Sequence, residues 1–393
     1  MDLKNIEFIF FTGDNGIDYP VGGITSFTRQ MMSVFGNRMA LVGISTDNTP
    51  SGKWIHKDFD GETYLFFSIG RVNKNKLKPL LPLRLTTYLQ LKRYKKEILS
   101  LNISNAIVQN SHFLLAINEW PVANKAYIFH GVTNPLEKAR YGAAKLLAPY
   151  YEEKMFKRLQ SYNTIFTVAD ENDIQNMIKR SRNRFSRDSF IKLPARFDSK
   201  TFYPAEKEYS RQCLGLSKKK TIFIQVGRLS KQKGCDFIID SFCHYLKNNP
   251  HSELYLVGDG EEKGGIQKKI LSLGLSGKVN ITGFLSKQEV ALFYNSADLI
   301  LVGSYMEGWS VAMVEALACG KNIVSTRVSG AGDMIIRGKN GYIVNYRDPG
   351  LFAKKMEEAL KLPNPNEYSI EISGNYSLPT LKDDIEKHWK TTY

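Results

Sequence analysis

The sequence predicts an α/β fold made of two doubly wound domains, each with a parallel sheet. Short apolar runs alternate with segments of helical period through both halves. The length of 393 residues suits two domains, and an aperiodic stretch at 191–204, holding Pro194 and Pro204, separates the two patterns. Strands that alternate with helices build βαβ units, and parallel strands buried on both faces are apolar throughout.

In the first half, residues 6–11 read as a strand ending at Thr12-Gly13, followed by a helix at 24–35 and a strand at 40–44. Residues 106–110 and 126–130 are two more strands; a helix at 150–160, a strand at 164–168 and a helix at 171–180 complete the unit. The second half is more regular. Strands are expected at 221–226, 253–257, 279–282, 299–302 and 322–325, each closed by a turn or glycine. Helices are expected at 236–246, 265–273, 288–296 and 311–318 between them. The pattern weakens beyond Pro363 and Pro365, and 381–389 reads as a last helix. The expected domains are 1–197, 198–375 and a terminal helical segment, 376–393. Asp58-Phe59-Asp60, with the spacing of a metal–nucleotide site but no clear strand before it, reads as a surface turn.

Hydrophobic residues make up 42% of the chain and charged residues 24%, the range of water-soluble globular proteins. No apolar run nears the roughly 18 residues that span a bilayer. The N-terminus carries Glu7 inside its apolar stretch and reads as a buried strand, not a signal peptide, so a cytoplasmic location is expected. The four cysteines have no metal-ligand spacing and read as reduced packing residues. The net charge of +15 favours polyanionic partners. Basic residues cluster at 71–96, interleaved with leucines, and again at Lys179, Arg180, Arg182, Arg184 and Arg187. Each cluster reads either as a solvated helix face or as a docking face for anionic lipid. Nucleic acid is not an expected partner, because no recognition motif accompanies the charge.

Open parallel sheets bind ligands beyond the carboxyl ends of their strands, so the candidate residues follow the strands. After 221–226 comes Gly227-Arg228-Leu229-Ser230-Lys231-Gln232-Lys233-Gly234, in which Arg228 and Lys233 can stabilise a diphosphate leaving group. After 299–302 comes Glu307-Gly308-Trp309-Ser310, a helix start whose free N–H groups suit phosphate, with Glu315 eight positions beyond Glu307. A phosphate site alone does not call for carboxylates. Glu307 and Glu315 suit the hydroxyls of a sugar and a ribose, which makes a nucleotide-sugar the fitting ligand. In the first half, Gly22 and Gly23 allow close backbone approach to a phosphate or form a plain turn. His130 and His112, each at a strand end, can bond a sugar hydroxyl or serve only in packing. No Ser/His/Asp triad, Walker loop or zinc pattern is present.

The ordered set Gly227-Arg228-Leu229, Lys233-Gly234, Gly258-Asp259-Gly260, Gly283-Phe284, Ala297-Asp298-Leu299, Glu307/Glu315 and Asn340-Gly341-Tyr342 resembles the retaining GT-B glycosyltransferases of family 4, the glycosyl transferases group 1. The likeness is strong over 185–344 and looser in the first half, where it rests on Gly22-Gly23, His130-Gly131 and Pro204. It implies two Rossmann-like domains facing a central cleft, a nucleotide-sugar donor held mainly by the second, and a last helix that crosses back to the first. It implies Arg228 and Lys233 on the diphosphate, Glu307 on the sugar, Glu315 on the ribose, His130 near the sugar and Gly23 near the phosphates. It also implies no metal or other cofactor, and front-face attack with retention. Trp309, where relatives more often carry Phe, and Asp333, where Glu is commoner, depart from the pattern and bear on donor preference. The expected activity is transfer of a sugar, with UDP mildly preferred, to a glycan or lipid-linked acceptor in bacterial surface polysaccharide assembly. The enzyme is expected in the cytoplasm, at the membrane if 71–96 docks there. A sugar-nucleotide epimerase or hydrolase and a non-catalytic sugar-nucleotide-binding partner are the alternatives. An NAD-dependent oxidoreductase is disfavoured, because no Gly-x-Gly-x-x-Gly follows the first strand.

Overall fold

Contacts divide the chain into two units, one of residues 1–195 with 379–393 and one of residues 196–378. The computed structural model describes residues 5–17, 19, 23–59, 61–73, 81–131, 134, 136–137 and 145–389.

The first unit is built on an eight-stranded sheet in the order β3-β4-β2-β1-β5-β6-β7-β8. Its strands are β1 (Phe8–Phe11), β2 (Met39–Ser45), β3 (Trp54–Phe59), β4 (Glu62–Arg71), β5 (Asn105–Val108), β6 (Asn124–Phe129), β7 (Thr164–Thr167) and β8 (Ile191–Lys192). All pairings are parallel except β3 with β4. Helices α1 (Gly23–Phe35), α2 (Leu83–Arg93), α3 (Lys95–Leu99), α4 (Ser111–Ile117), α5 (Ala148–Leu159) and α6 (Glu171–Arg180) connect them. β1 reads Phe-Ile-Phe-Phe and is buried at every position, as a central parallel strand must be.

The second unit has a six-stranded, all-parallel sheet in the order β11-β10-β9-β12-β13-β14. Its strands are β9 (Thr221–Val226), β10 (Ser252–Val257), β11 (Val279–Gly283), β12 (Leu299–Val302), β13 (Ile323–Thr326) and β14 (Gly341–Val344). Its helices are α7 (Lys207–Cys213), α8 (Cys235–Leu246), α9 (Lys263–Ser272), α10 (Lys287–Ser296), α11 (Val311–Ala318), α12 (Ala331–Met334), α13 (Pro349–Ala359) and α14 (Glu367–Gly374). The helix starts are locally encoded. Ser286 and Glu289 form a reciprocal capping box on α10, and the Asp348 and Asn366 side chains cap α13 and α14.

The last helix, α15 (Leu378–His388), packs on the first unit. Leu381 and Ile385 are buried, and the Trp389 ring lies edge-on to Phe8. Trp389 Nε1 donates to Asn124 Oδ1 at 2.9 Å, and Arg38 bridges Glu386 at 2.8 Å. The aperiodic stretch at 191–204 is pinned rather than loose: Phe197 and Phe202 are buried, and Phe197 N donates to Tyr376 O at 3.0 Å.

Two sequence expectations are corrected, and one open alternative is decided. Asp58 lies in β3, which pairs antiparallel with β4, so that segment is an edge strand and not a turn; Asp60 lies outside the described residues. His112 does not end a strand but is buried in the first turn of α4, where desolvation and the nearby Arg84 push its pKa down to about 3. The basic cluster at 179–187 is largely matched by acids: Arg180 pairs with Glu152, Arg182 and Arg184 with Glu153, and Arg187 with Glu171. That face is a solvated ion-pair network.

Candidate functional site

In the second unit the chain runs outward from β9 to β10 and β11. It then returns to the other side of β9 to lay down β12, β13 and β14. Strand order therefore reverses between β9 and β12, and a crevice beyond the carboxyl ends of strands opens at such a reversal. The loops leaving these two strands carry Lys233 and Glu307. Lys233 Nζ lies 2.6 Å from Glu307 Oε1, so the two loops meet in an ion pair across the reversal. The Glu307 side chain is 9% exposed and that of Lys233 25%.

The pair is held from several sides. Ser304 Oγ donates to Glu307 Oε1 at 2.6 Å, and Gln225, inside β9, donates its amide to Lys233 O at 2.8 Å. Ser304 is fixed in turn. Its carbonyl accepts from Thr326 Oγ1 at 2.7 Å and from the Arg347 guanidinium, which also bonds Gly303 O at 3.0 Å and stacks over the Tyr305 ring. Among the described residues, both bonds to the Glu307 carboxylate fall on Oε1, which leaves Oε2 able to accept a further hydrogen bond.

Gly234 is what lets the loops approach this closely. Its φ is +63°, and a Cβ there would sit 2.0 Å from Gly303 O. We expect Gly234→Ala to cost about 2–4 kcal/mol, the left-handed penalty and the overpacking together. Gly215→Ala is the control, since Gly215 has the same backbone conformation (φ +64°) but open space around it. Denaturant unfolding of both variants should show a loss about twice as large at Gly234, since Gly215→Ala carries the left-handed penalty of about 1–2 kcal/mol alone; equal losses would contradict this account of the contact.

Ser310 precedes α11 and accepts at its carbonyl from Met313 N and Val314 N. The N–H groups at the helix start thus open beside Glu307, the arrangement that suits phosphate. Gly308 is half-buried there, and Ser310 is buried. The Trp309 ring is turned away into packing, edge-on to Tyr376 at 5.2 Å and against Gly330, whose φ of +79° and missing Cβ make room for it. Glu315, in α11, lies 3.3 Å from the Tyr294 hydroxyl. Burial pushes its pKa up to about 7, partly countered by Tyr294 and Lys287. Arg228 is directed elsewhere: its side chain is 67% exposed and bridges Glu261 in the loop after β10 at 2.9 Å.

The first unit repeats the same logic. Its strand order reverses between β1 and β5, and the loops after those strands are tied together by Gly13 N donating to Asn110 Oδ1 at 2.6 Å. Beneath that tie lies a buried polar cluster of Thr12, Asp14, Thr28 and Gln109. His130, just after β6, is partly exposed, with Nε2 2.8 Å from Gln109 Oε1 and its ring against Phe27. Desolvation lowers its pKa to about 4, so it is neutral at physiological pH. Gly23 opens α1, and among the described residues nothing lies within 4 Å of where a Cβ would sit. Gly22 lies outside the described residues.

Among the sequence candidates, Lys233, Glu307, Gly308 and Ser310 are brought together, with Glu315 further along α11. Arg228 leaves the same strand end as Lys233 but takes its own partner. Ser304, Arg347, Asp14 and Gln109 support the two sites and were not singled out from sequence. Strand order is the signal for Ser304, Asp14 and Gln109, since each follows a strand that borders a reversal, whereas Arg347 reaches in from beyond the edge strand β14.

Two Rossmann-like parallel-sheet units of this kind make up the GT-B fold. Residues 206–373 match the family described as glycosyl transferases group 1, so the chain carries a segment of that family. Over 277 residues the chain is 28% identical to the alpha-monoglucosyldiacylglycerol synthase of Acholeplasma laidlawii, a match covering 67% of this chain and 65% of that protein. Matches to D-inositol 3-phosphate glycosyltransferases of Frankia alni and Corynebacterium diphtheriae span 43% and 44% of their lengths, so the chain covers less than two thirds of these relatives. Among solved structures, a sucrose-phosphate synthase from Thermosynechococcus elongatus superposes with a TM-score of 0.76 at 16% identity, covering 97% of each chain. Anabaena HepE in complex with UDP-glucose superposes with a TM-score of 0.68 at 16% identity, over 97% of this chain and 98% of that one. Among the described residues, no helix is long and apolar enough to cross a membrane.

Proposed function

We propose that the protein is a retaining hexosyltransferase that moves a sugar from a nucleoside diphosphate donor, UDP preferred, to a glycan or lipid-linked acceptor. The observation that carries this reading is the Lys233–Glu307 pair across the β9/β12 reversal, beside the start of α11. Lys233 and the open N–H groups of α11 take the charge that develops on the diphosphate, and Arg228 joins them by exchanging Glu261 for phosphate. Glu307 Oε2 accepts from a sugar hydroxyl, and Glu315 from the ribose. We assign Glu307 to recognition of the sugar, with front-face attack in which the leaving phosphate takes the acceptor's proton. The charge is met by side chains and helix N–H groups, so turnover should survive chelation by EDTA. UDP is favoured because the HepE complex holds UDP-glucose on the same fold.

The acceptor side rests on the first unit. Leu81, Leu85 and Leu89 recur every four residues and are 53%, 45% and 52% exposed, beside the exposed bases Arg84, Lys92 and Arg93. Leu146, Leu147 and Tyr150, at the approach to α5 and in its first turn, are exposed as well. Apolar side chains set among bases suit an anionic leaflet, each base adding about 1 kcal/mol near such a surface. Lys74, Lys76 and Lys78 lie outside the described residues. We place the enzyme at the inner face of the cytoplasmic membrane, in assembly of a surface polysaccharide such as O-antigen, capsule or lipopolysaccharide. The Acholeplasma relative is named as the synthase of a glucosylated diacylglycerol, which supports a lipid-linked acceptor.

Purified protein is to be screened by thermal shift against UDP, GDP and their hexose conjugates, since a ligand that binds only the folded form raises its melting point. The stabilising donor is then assayed for nucleotide release with and without lipid-linked acceptors. Acceptor-dependent release that is lost in Glu307→Ala supports transfer, whereas release from donor alone indicates a hydrolase or epimerase. In flotation, the protein should rise with vesicles containing phosphatidylglycerol and stay down with phosphatidylcholine alone; equal behaviour in both contradicts the membrane placement.

A further inference from the structure

We propose that Gln109 is a positioning residue that holds His130 as its Nε2–H tautomer, so that Nδ1 is kept bare as a hydrogen-bond acceptor for a substrate hydroxyl. The substrate part of this rests on the glycosyltransferase reading; the tautomer itself does not.

The argument follows donors and acceptors through the buried cluster. The Gln109 amide nitrogen lies within hydrogen-bond reach of Thr12 Oγ1, of Thr28 Oγ1 at 2.6 Å and of Asp14 Oδ2 at 3.2 Å. The two threonine hydroxyls donate onward to Asp14 Oδ2, at 2.5 Å and 3.0 Å. Asp14 Oδ1 accepts from Gly16 N at 2.7 Å. Thr12, Asp14 and Thr28 are fully buried, and Gln109 is nearly so. Burial raises the pKa of Asp14, and the Thr12, Gly16 and Thr28 hydrogen bonds and the Arg29 charge oppose that rise. In its ionised form the carboxylate can only accept, so it then sets the direction of every bond that leads to it. The hydroxyls point at Asp14, the amide N–H groups point at the hydroxyls, and the amide oxygen must face outward. That oxygen is the atom 2.8 Å from His130 Nε2. Turning the amide over would set Oε1 against Asp14, which is unfavourable in a buried site. The ring must therefore donate through Nε2.

Burial of the imidazole works in the same direction by disfavouring a second ring proton. Around His130, Gln109 faces it from the end of β5 and Phe27 from α1, and neither is ionisable. Asp14, whose pKa burial raises, and, beyond it, Arg29, which bonds Gly16 O at 3.1 Å, are the ionisable groups of the cluster. With both protonation and tautomer set, His130 accepts through Nδ1 and donates through Nε2 only to the protein.

The test uses the full chain labelled with 15N-histidine, without substrate. The six histidines are separated by long-range 1H–15N correlation, and His130 is assigned by its loss in His130→Asn. The expected spectrum shows Nε2 protonated, Nδ1 bare and the ring N–H protected from exchange. A proton on Nδ1, or free exchange, overturns the proposal. Gln109→Met should abolish the protection while the signal of buried His112 stays in place; protection that persists overturns the proposal. Should that variant not fold, Asp14→Asn, which removes the acceptor that orients the chain, should weaken the same protection, and unchanged protection overturns it equally. In the assay, Gln109→Met should lower kcat/KM about three- to tenfold, the effect of one neutral hydrogen bond, with UDP affinity unchanged. If the spectra behave as expected but no UDP- or GDP-hexose turns over, the transferase reading has failed and the tautomer assignment stands.

Discussion

Replacing Lys233 by methionine should lower sugar transfer by about 10²–10³-fold, the scale set by removing one preorganised charge from a dry site. It should also destabilise the apo protein, because Glu307 is left with Ser304 as its remaining partner at a position where its side chain is only 9% exposed. Breaking a buried pair from one side costs about 3–5 kcal/mol, and a quarter-exposed lysine places this pair at or below the lower end. Lys233→Met/Glu307→Gln should recover most of the stability, because no uncompensated charge remains, yet recover none of the activity. Urea melts and donor turnover on the three variants make the comparison. A double variant as inactive as the single one but clearly more stable is the expected outcome. A single variant that keeps wild-type turnover would remove Lys233 from the mechanism.

Glu315→Gln should separate stability from binding in the opposite direction. The carboxyl has a folded pKa of about 7 against an ordinary value of 4.5, so the folded state favours its protonated form. Its contribution to stability is fully present below about pH 4.5 and is lost as pH rises through 7. At pH 8 the wild type carries the cost of an ionised carboxylate in a poorly solvated place, which glutamine avoids. The variant should thus match the wild type near pH 4.5 and exceed it at pH 8 by about 1–3 kcal/mol. Donor affinity should fall about 10–100-fold, the loss of hydrogen bonds to a charged acceptor. In the wild type, donor binding needs the ionised form, so affinity should decline as pH drops below about 7. Melting curves from pH 4.5 to 8, with donor titrations alongside, show whether the variant gains stability with rising pH. A gap that closes or reverses by pH 8 would contradict the assigned protonation.

The second unit was largely legible because its signals are local. Each parallel strand is a short apolar run with a glycine or turn after it, and the reversal at β9/β12 puts the two most informative loops side by side. The β3/β4 hairpin was missed for a physical reason. β3, Trp-Ile-His-Lys-Asp-Phe, is an edge strand that keeps His56 and Asp58 exposed at alternate positions and buries no residue fully, and so reads as a turn. His112 was misplaced because α4 starts at Ser111, with only Gln109 and Asn110 between it and the end of β5 at Val108, and its N-cap Asn110 makes no side-chain capping bond. Asp14 and Gln109 lie 95 positions apart and meet only because β1 lies beside β5. No local pattern announces such a pair. Ser304 and Arg347 were missed in the same way: the first is an unremarked serine before the acidic loop, and the second reaches it from beyond β14.

The central claim is that Lys233 and Glu307 meet different parts of one ligand, the diphosphate and the sugar. Calorimetric titration of the nucleotide and of its hexose conjugate, with the pair chosen by thermal shift, tests it directly. Glu307→Gln should weaken the sugar conjugate and leave the free nucleotide unchanged, whereas Lys233→Met should weaken both. If Glu307→Gln binds both ligands as the wild type does, or if neither variant changes either affinity, the two residues do not share a nucleotide-sugar.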